Sequence, residues 1–256
     1  TRNVAVSLSG SDGNYNALNI IYYDNYLFAT NNSGTEHYGF DNSNGLVSAA
    51  DVFIPPKNVP TGTKVKVMKR ETEPTLRDWI ISANYFDRKY RIIQTVTGNP
   101  CFDGRDVVTR SYSFTGRPEI QKTKHTAFSE TTEYTERFIY DHRGRLLEHT
   151  LEGLPDQPEV IMSSMLYDPM GNLKTKLLHS EVSGENHLPF IQKTDYLYNI
   201  RGWLTSINDP VNVTEENDIF AMTLHYNDEM IGSAGSIQYN GNIASANWVT
   251  NRDGLK

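Results

Sequence analysis

The chain has 256 residues, with Lys+Arg 24 against Asp+Glu 31 and a net charge of -7. That length holds one large β or α/β domain or two ordinary ones, and the acidic balance argues against a duplex nucleic-acid binder, which carries a basic stripe. The single Cys101 excludes an internal disulfide and a Cys-rich metal site, and no apolar run is long enough for a helix to span a membrane.

The opening, Thr1 to Gly13, has no basic segment followed by an apolar one, so no signal peptide is read there. The close carries an Asp253-Gly254 turn signal with no strand after it, and the reading is of a segment of a longer protein. Residues 1–60 read as an irregular β region holding a degenerate Tyr22-Tyr23-Asp24 and an Asn44-Gly45 turn. From 61 onward the chain reads as a repeat-built β-sheet region, 61–256. Thr63 to Met68 alternates cleanly and predicts a strand. Pro74 to Ile80 is a short helix candidate that reads equally well as a strand entry.

Self-similarity then dominates. Phe86-Asp87-Arg88-Lys89-Tyr90-Arg91-Ile92 is followed by Tyr112-Ser113-Phe114-Thr115-Gly116-Arg117. Tyr140-Asp141-His142-Arg143-Gly144-Arg145-Leu146 comes next, then Tyr167-Asp168-Pro169-Met170-Gly171-Asn172-Leu173, then Tyr198-Asn199-Ile200-Arg201-Gly202-Trp203-Leu204. One such heptapeptide means little, but five at near-constant spacing mark a repeat architecture. Asp, Asn or Ser opens a turn by bonding the backbone two residues on, and Gly supplies the left-handed residue that follows a type I turn. The aromatic before each turn and the Leu or Ile after it fall on the flanking strands, where cross-strand pairs contribute roughly 0.2–1 kcal/mol each. Each copy therefore predicts a tight hairpin, and the flanks alternate at the strand period. The expected fold is all-β: an antiparallel sheet of successive hairpins, forming a curled strip or partial β-shell. Toward the C-terminus, Leu224 to Asp228 echoes the spacing, and Asn240-Gly241 marks another turn.

Candidate chemistry is sparse. The seven histidines show no metal-ligand spacing, and no metal or cofactor is expected. Glu215-Glu216, or Asp209 with Asp218, would suit glycoside hydrolysis, but they fall in a loop where acids are common. The repeat Asp residues 87, 141 and 168 are explained as turn formers, and Cys101 has no base nearby in sequence. Tyr134, Trp203 and Trp248 are candidates for stacking on sugar rings; packing within the sheet is favoured, since the aromatics recur at fixed repeat positions.

The Tyr-Asp-x-x-Gly-Arg-Leu heptapeptides resemble the YD repeats of Rhs and teneurin-type proteins. The stretch from Thr61-Gly62-Thr63 through Tyr198 to Trp203 and on to Gln238-Tyr239-Asn240-Gly241 is similar to the segment before the Rhs core in Bacteroidetes cell-surface proteins. The resemblance covers about residues 60–250. It implies a non-enzymatic strip spiralling into a shell, whose partners are the rest of its own longer chain, an Rhs core and a C-terminal effector. It also implies a secreted or cell-surface bacterial setting. Tyr90, Ser113 and Trp203 depart from the motif, and without an Rhs core no self-cleaving aspartate carries over. The rival expectations are a carbohydrate- or cell-surface-binding module and a polysaccharide hydrolase. Open sheet edges predict self-association through strand pairing.

Overall fold

The computed structural model describes residues 4–9, 16–30, 38–54, 57–68, 78–99, 104–128, 130–184, 186–213, 218–227 and 237–251. Cys101, Glu215, Glu216, most of the 74–80 segment and the closing Asp253-Gly254 lie outside them. The chain divides into two compact units, Thr1–Arg137 with Glu152–Gln157, and Phe138–Leu151 with Pro158–Lys256.

The first unit carries β1 (Val4–Ser9), β2 (Asn16–Tyr23), β3 (Pro60–Lys66), β4 (Trp79–Phe86), β5 (Ile92–Gly98), β6 (Arg105–Tyr112), β7 (Pro118–Ala127) and most of β8 (Glu130–Tyr140). Each strand pairs antiparallel with the next in sequence. The second unit carries β9 (Leu146–Glu152), β10 (Val160–Tyr167), β11 (Leu173–Ser183), the two-residue β12 (Asn186–His187), β13 (Gln192–Tyr198), β14 (Leu204–Ile207), β15 (Phe220–His225) and β16 (Ser245–Thr250). Pairing is again antiparallel and sequential, with β12 set aside on β11. The all-β reading and its hairpin-by-hairpin construction hold.

Between β2 and β3 the first unit departs from a plain ladder. Tyr23 pairs with Pro60 across a register shift at Tyr22/Tyr23, the same irregularity found at Ser111/Tyr112, where Tyr112 pairs with Pro118. The degenerate Tyr22-Tyr23-Asp24 is thus a repeat whose tight turn has been replaced by residues 24–59. Asp24 still turns with φ 64°, and its carboxylate accepts the Asn58 amide at 2.6 Å. The described residues of the replacement form a lobe with one helical turn, α1 (Leu27–Thr30), and two 3-10 turns, Asn42–Asn44 and Ala49–Asp51. Asn44-Gly45 is accordingly no hairpin turn: Asp41 caps the 3-10 turn through the Ser43 amide, and Gly45 ends it with φ 68°.

The lobe supplies half of a core. Ala29 and Tyr38 are buried with Ile81, Ala83, Tyr85, Ile93, Val96 and Val107, and Phe28, Phe40, Val47 and Val52 pack around them. Tyr85 stacks on Tyr26 at 4.5 Å, meets Phe40 edge-on at 5.4 Å, and donates its hydroxyl to the Tyr38 carbonyl at 2.7 Å. Fully buried Gln94 clamps the lobe by accepting the Asp41 amide at 2.7 Å and donating to the Asp41 carbonyl at 3.0 Å. Gly62 permits the approach, since a Cβ there would lie 2.1 Å from the Phe28 ring. Burying an aliphatic or aromatic side chain stabilises by about 1.5–3 kcal/mol, so this cluster dominates the first unit.

Candidate functional site

The repeat turns share one backbone design. The first residue donates its amide to the carbonyl of the fifth at 2.8–2.9 Å: Asp87 to Arg91, Ser113 to Arg117, Asp141 to Arg145, Asp168 to Asn172, Asn199 to Trp203. The fourth residue donates back to the first at 2.8–3.0 Å. This is a type I turn followed by a left-handed residue and a bulge, the three-residue hairpin loop. Gly116, Gly144, Gly171 and Gly202 hold that fourth position with φ between 78° and 103°. Tyr90 holds it in the first turn at φ 61°, and its ring meets Phe53 of the lobe edge-on at 5.6 Å. The aromatic contact offsets a left-handed conformation that costs a non-glycine residue about 1–2 kcal/mol.

The first side chain of each turn reinforces it. Asp87 Oδ1 accepts the Lys89 and Arg91 amides at 2.8 and 2.9 Å, and Asp141 Oδ1 accepts Arg143 and Arg145, both at 2.9 Å. Asp168 accepts Gly171 and Asn172, and Asn199 accepts Arg201 and Trp203. The other carboxylate oxygen takes the arginine at the fifth position: Arg91 Nε and Nη2 reach Asp87 at 2.7 and 2.6 Å, and Arg145 reaches Asp141 at the same distances. Partial burial works against the Asp141 charge. The Arg145 amide and guanidinium and the Arg143 amide outweigh it and hold the carboxyl at about 2. Asp87 is lowered for the same reasons, and Asp168 by the Asn172 amide group and three backbone amides.

Arg91 and Arg145 also join their hairpins to the next. In the first unit the Arg91 guanidinium lies 4.7 Å from the centre of the Tyr112 ring, and the Tyr112 hydroxyl donates to the Ile92 carbonyl at 2.7 Å. In the second unit Arg145 lies 4.3 Å over Tyr167, whose hydroxyl donates to the Leu146 carbonyl at 2.9 Å. Trp203 replaces the arginine in the last turn and packs at 5.1 Å on Tyr226, which donates to the Leu204 carbonyl at 2.7 Å. Tyr226 is therefore the repeat tyrosine of a further copy, as the echo of the spacing at Leu224 to Asp228 suggested, with Met230 in sequence where the repeat has its glycine. The unit of construction is a latch: a turn carboxylate or amide, the side chain four residues on, and the tyrosine of the following hairpin. Where Asn172 replaces arginine the latch is incomplete: Tyr198 pairs with Leu204 in its own hairpin and makes no hydroxyl bond to Leu173. Tyr140 ends β8, half-buried, ahead of the Asp141 turn.

The stacking candidates have different surroundings. Trp203 lies against Tyr226 and the Arg201 guanidinium at 5.0 Å, and a Cβ at Gly241 would come within 3.1 Å of its edge. Tyr134 is half-buried on β8 opposite Thr123, and Trp248 is 67% exposed on β16 opposite Met222. Asp209 is spent on its own loop, accepting the Val211 amide and the Asn212 side chain, while Asp218 is buried and takes Gln192 Nε2 at 3.3 Å. Asp41, Asp87, Asp141, Asp168 and Asp195 all shift downward. Among the described residues no three His, Cys, Asp or Glu side chains could share a cation.

No family model and no curated protein matches the chain. Among solved structures, it is similar to the complex TcdB2-TccC3-Cdc42 at 12% identity and a TM-score of 0.21, over 96% of this chain and 17% of that one. TcdB2-TccC3 without its hypervariable C-terminal region gives 12% identity and 0.20, over 88% and 16%. The chain thus spans under a fifth of the length of these structures, and scores at this level do not establish a shared fold.

Proposed function

We propose that this chain is a non-enzymatic, shape-giving segment of a secreted or surface YD-repeat protein, and that it forms part of a β-wall around a C-terminal effector of a longer chain. The latch carries this reading. The side chains that recur most regularly (Tyr, Asp, Gly, Arg) are spent on one another, closing a turn and fastening it to the next hairpin. A site built for turnover leaves polar groups aimed at a substrate. Here most of them are turned onto one another, and repetition of such a unit extends a sheet by roughly 9–10 Å per hairpin. The resemblance of the heptapeptides to YD repeats supports the same reading.

The test is limited proteolysis of the full-length gene product. Its C-terminal polypeptide is expected to resist protease in the wild type and to be cut several times faster when Arg145→Ala and Tyr167→Ala are combined. A C-terminal polypeptide digested as fast in the intact protein as when expressed alone would overturn the enclosing role.

A further inference from the structure

A cleft of about 570 Å³ opens in the first unit between the 46–51 loop, the 87–91 turn and β6. Its floor is aliphatic, with Leu46 and Val47 half-buried and Ile93 buried. Its rim is cationic: Arg88, Lys89, Arg91 and Arg110 against Asp51 and Asp87. The two carboxylates are already engaged. Asp87 holds Arg91, and Asp51 accepts the Ser48 amide and hydroxyl at 2.8 and 3.0 Å. Arg88 and Lys89 are exposed and form no ion pair among the described residues. Arg110 is positioned by its Nε bond to Gln121 at 2.7 Å, itself held by Glu136, which leaves the terminal guanidinium nitrogens available. In a chain of net charge -7, Arg88, Arg110 and Lys89, whose ammonium lies 5.0 Å from the centre of the Phe114 ring and forms no ion pair among the described residues, make a local reversal of sign around an apolar floor.

We infer that this cleft binds an acidic peptide segment, with an aliphatic side chain seated on Leu46, Val47 and Ile93 and flanking carboxylates on Arg88, Lys89 and Arg110. A small inorganic anion would leave the floor uncovered. Tyr112, the aromatic in the cleft lining, is covered by Arg91, so a sugar ring would find no open aromatic face within the cleft. An extended peptide alternating Glu and Leu places carboxylates and aliphatic groups on opposite sides, matching rim and floor.

Fluorescence anisotropy with labelled acetyl-Glu-Leu-Glu-Leu-Glu-amide and the intact chain tests this. Binding is expected to saturate, to weaken about tenfold in Lys89→Gln/Arg110→Gln, and to fall similarly when Gln replaces Glu in the peptide. Replacing its Leu by Ser is expected to cost about tenfold as well. Should the Arg110 variant lower the melting temperature, Arg88→Gln/Lys89→Gln gives the same readout from exposed turn positions. No binding at millimolar peptide, indifference to either peptide change, or tighter binding of a sulfated oligosaccharide lost in the same variants would overturn the inference.

Discussion

The residue just before the repeat aromatic has two fates. Before the Asp87 turn of the first unit it is Tyr85, 3% exposed beneath Tyr26, Tyr38 and Phe40; before the Asp168 and Asn199 turns of the second it is Leu166 and Leu197, 52% and 60% exposed. The strand position is the same and the neighbouring turns close alike, so the local motif does not decide burial. What decides it is whether another part of the chain covers that face. The first unit has its 24–59 lobe and an apolar cluster. The described buried apolar residues of the second unit are dispersed: Val160 and Ile161 on β10, Ala221 on β15, Val213 and Tyr226 in links. There cohesion rests more on backbone ladders and latches.

This contrast can be broken most directly at that shared position. Tyr85→Ala is expected to cost about 3–5 kcal/mol by cavity formation, and Leu166→Ala less than about 1, measured by urea unfolding with hydrogen exchange followed in β4 and β10. Equal losses would show that the lobe is not the source of the difference. Next in size, Gly144→Ala forces a Cβ into the left-handed region and is expected to destabilise the second unit by about 1–2 kcal/mol, read from the β9 and β10 amides.

Acid is expected to loosen both units from their turns. The turn carboxyls are lowered in the fold, Asp141 to about 2, against an ordinary value near 4. Their contribution is complete above about pH 5, where both states are ionised. It is lost as pH falls toward 2, because the unfolded chain takes up protons first. Thermal melts between pH 5 and 2.5 should show the fall, and Asp141→Asn should flatten it in the second unit. The smallest expected effect is a gain: Asn172→Arg completes the latch to Tyr198 and should stabilise by about 0.5–1 kcal/mol, seen as slower exchange at Leu173 and Leu204. No gain would mean the arginine acts only within its own turn.

The hairpin ladder was legible because an Asp-x-x-Gly turn is local: the side chain and the left-handed residue act within five positions. The latch was only half legible. Arg91 and Arg145 stood in the repeat, but their tyrosine partners lie more than twenty residues on, and Tyr226-Asn227 lacks the glycine that marks the other turns. For Trp203 the repeat position favours packing over ligand stacking, but its partner was not legible, because an exchanged arginine leaves no trace of the neighbour that the indole now packs against. The lobe was hidden at Tyr22-Tyr23-Asp24, where the strand-end residues persist but the turn has been expanded beyond recognition. Tyr90, a departure from the motif, is explained only by Phe53, which the fold brings from the far side of two strands.

The opening between Tyr23 and Pro60 shows that a hairpin tip can be cut open and a folded insert accommodated without losing strand register. Each strand is already secured by its outer neighbour, so the bend itself is dispensable to the sheet. By the same logic an insertion between His142 and Arg143, at an exposed bend, is expected to cost the turn's own bonds while leaving the register of the flanking strands unchanged.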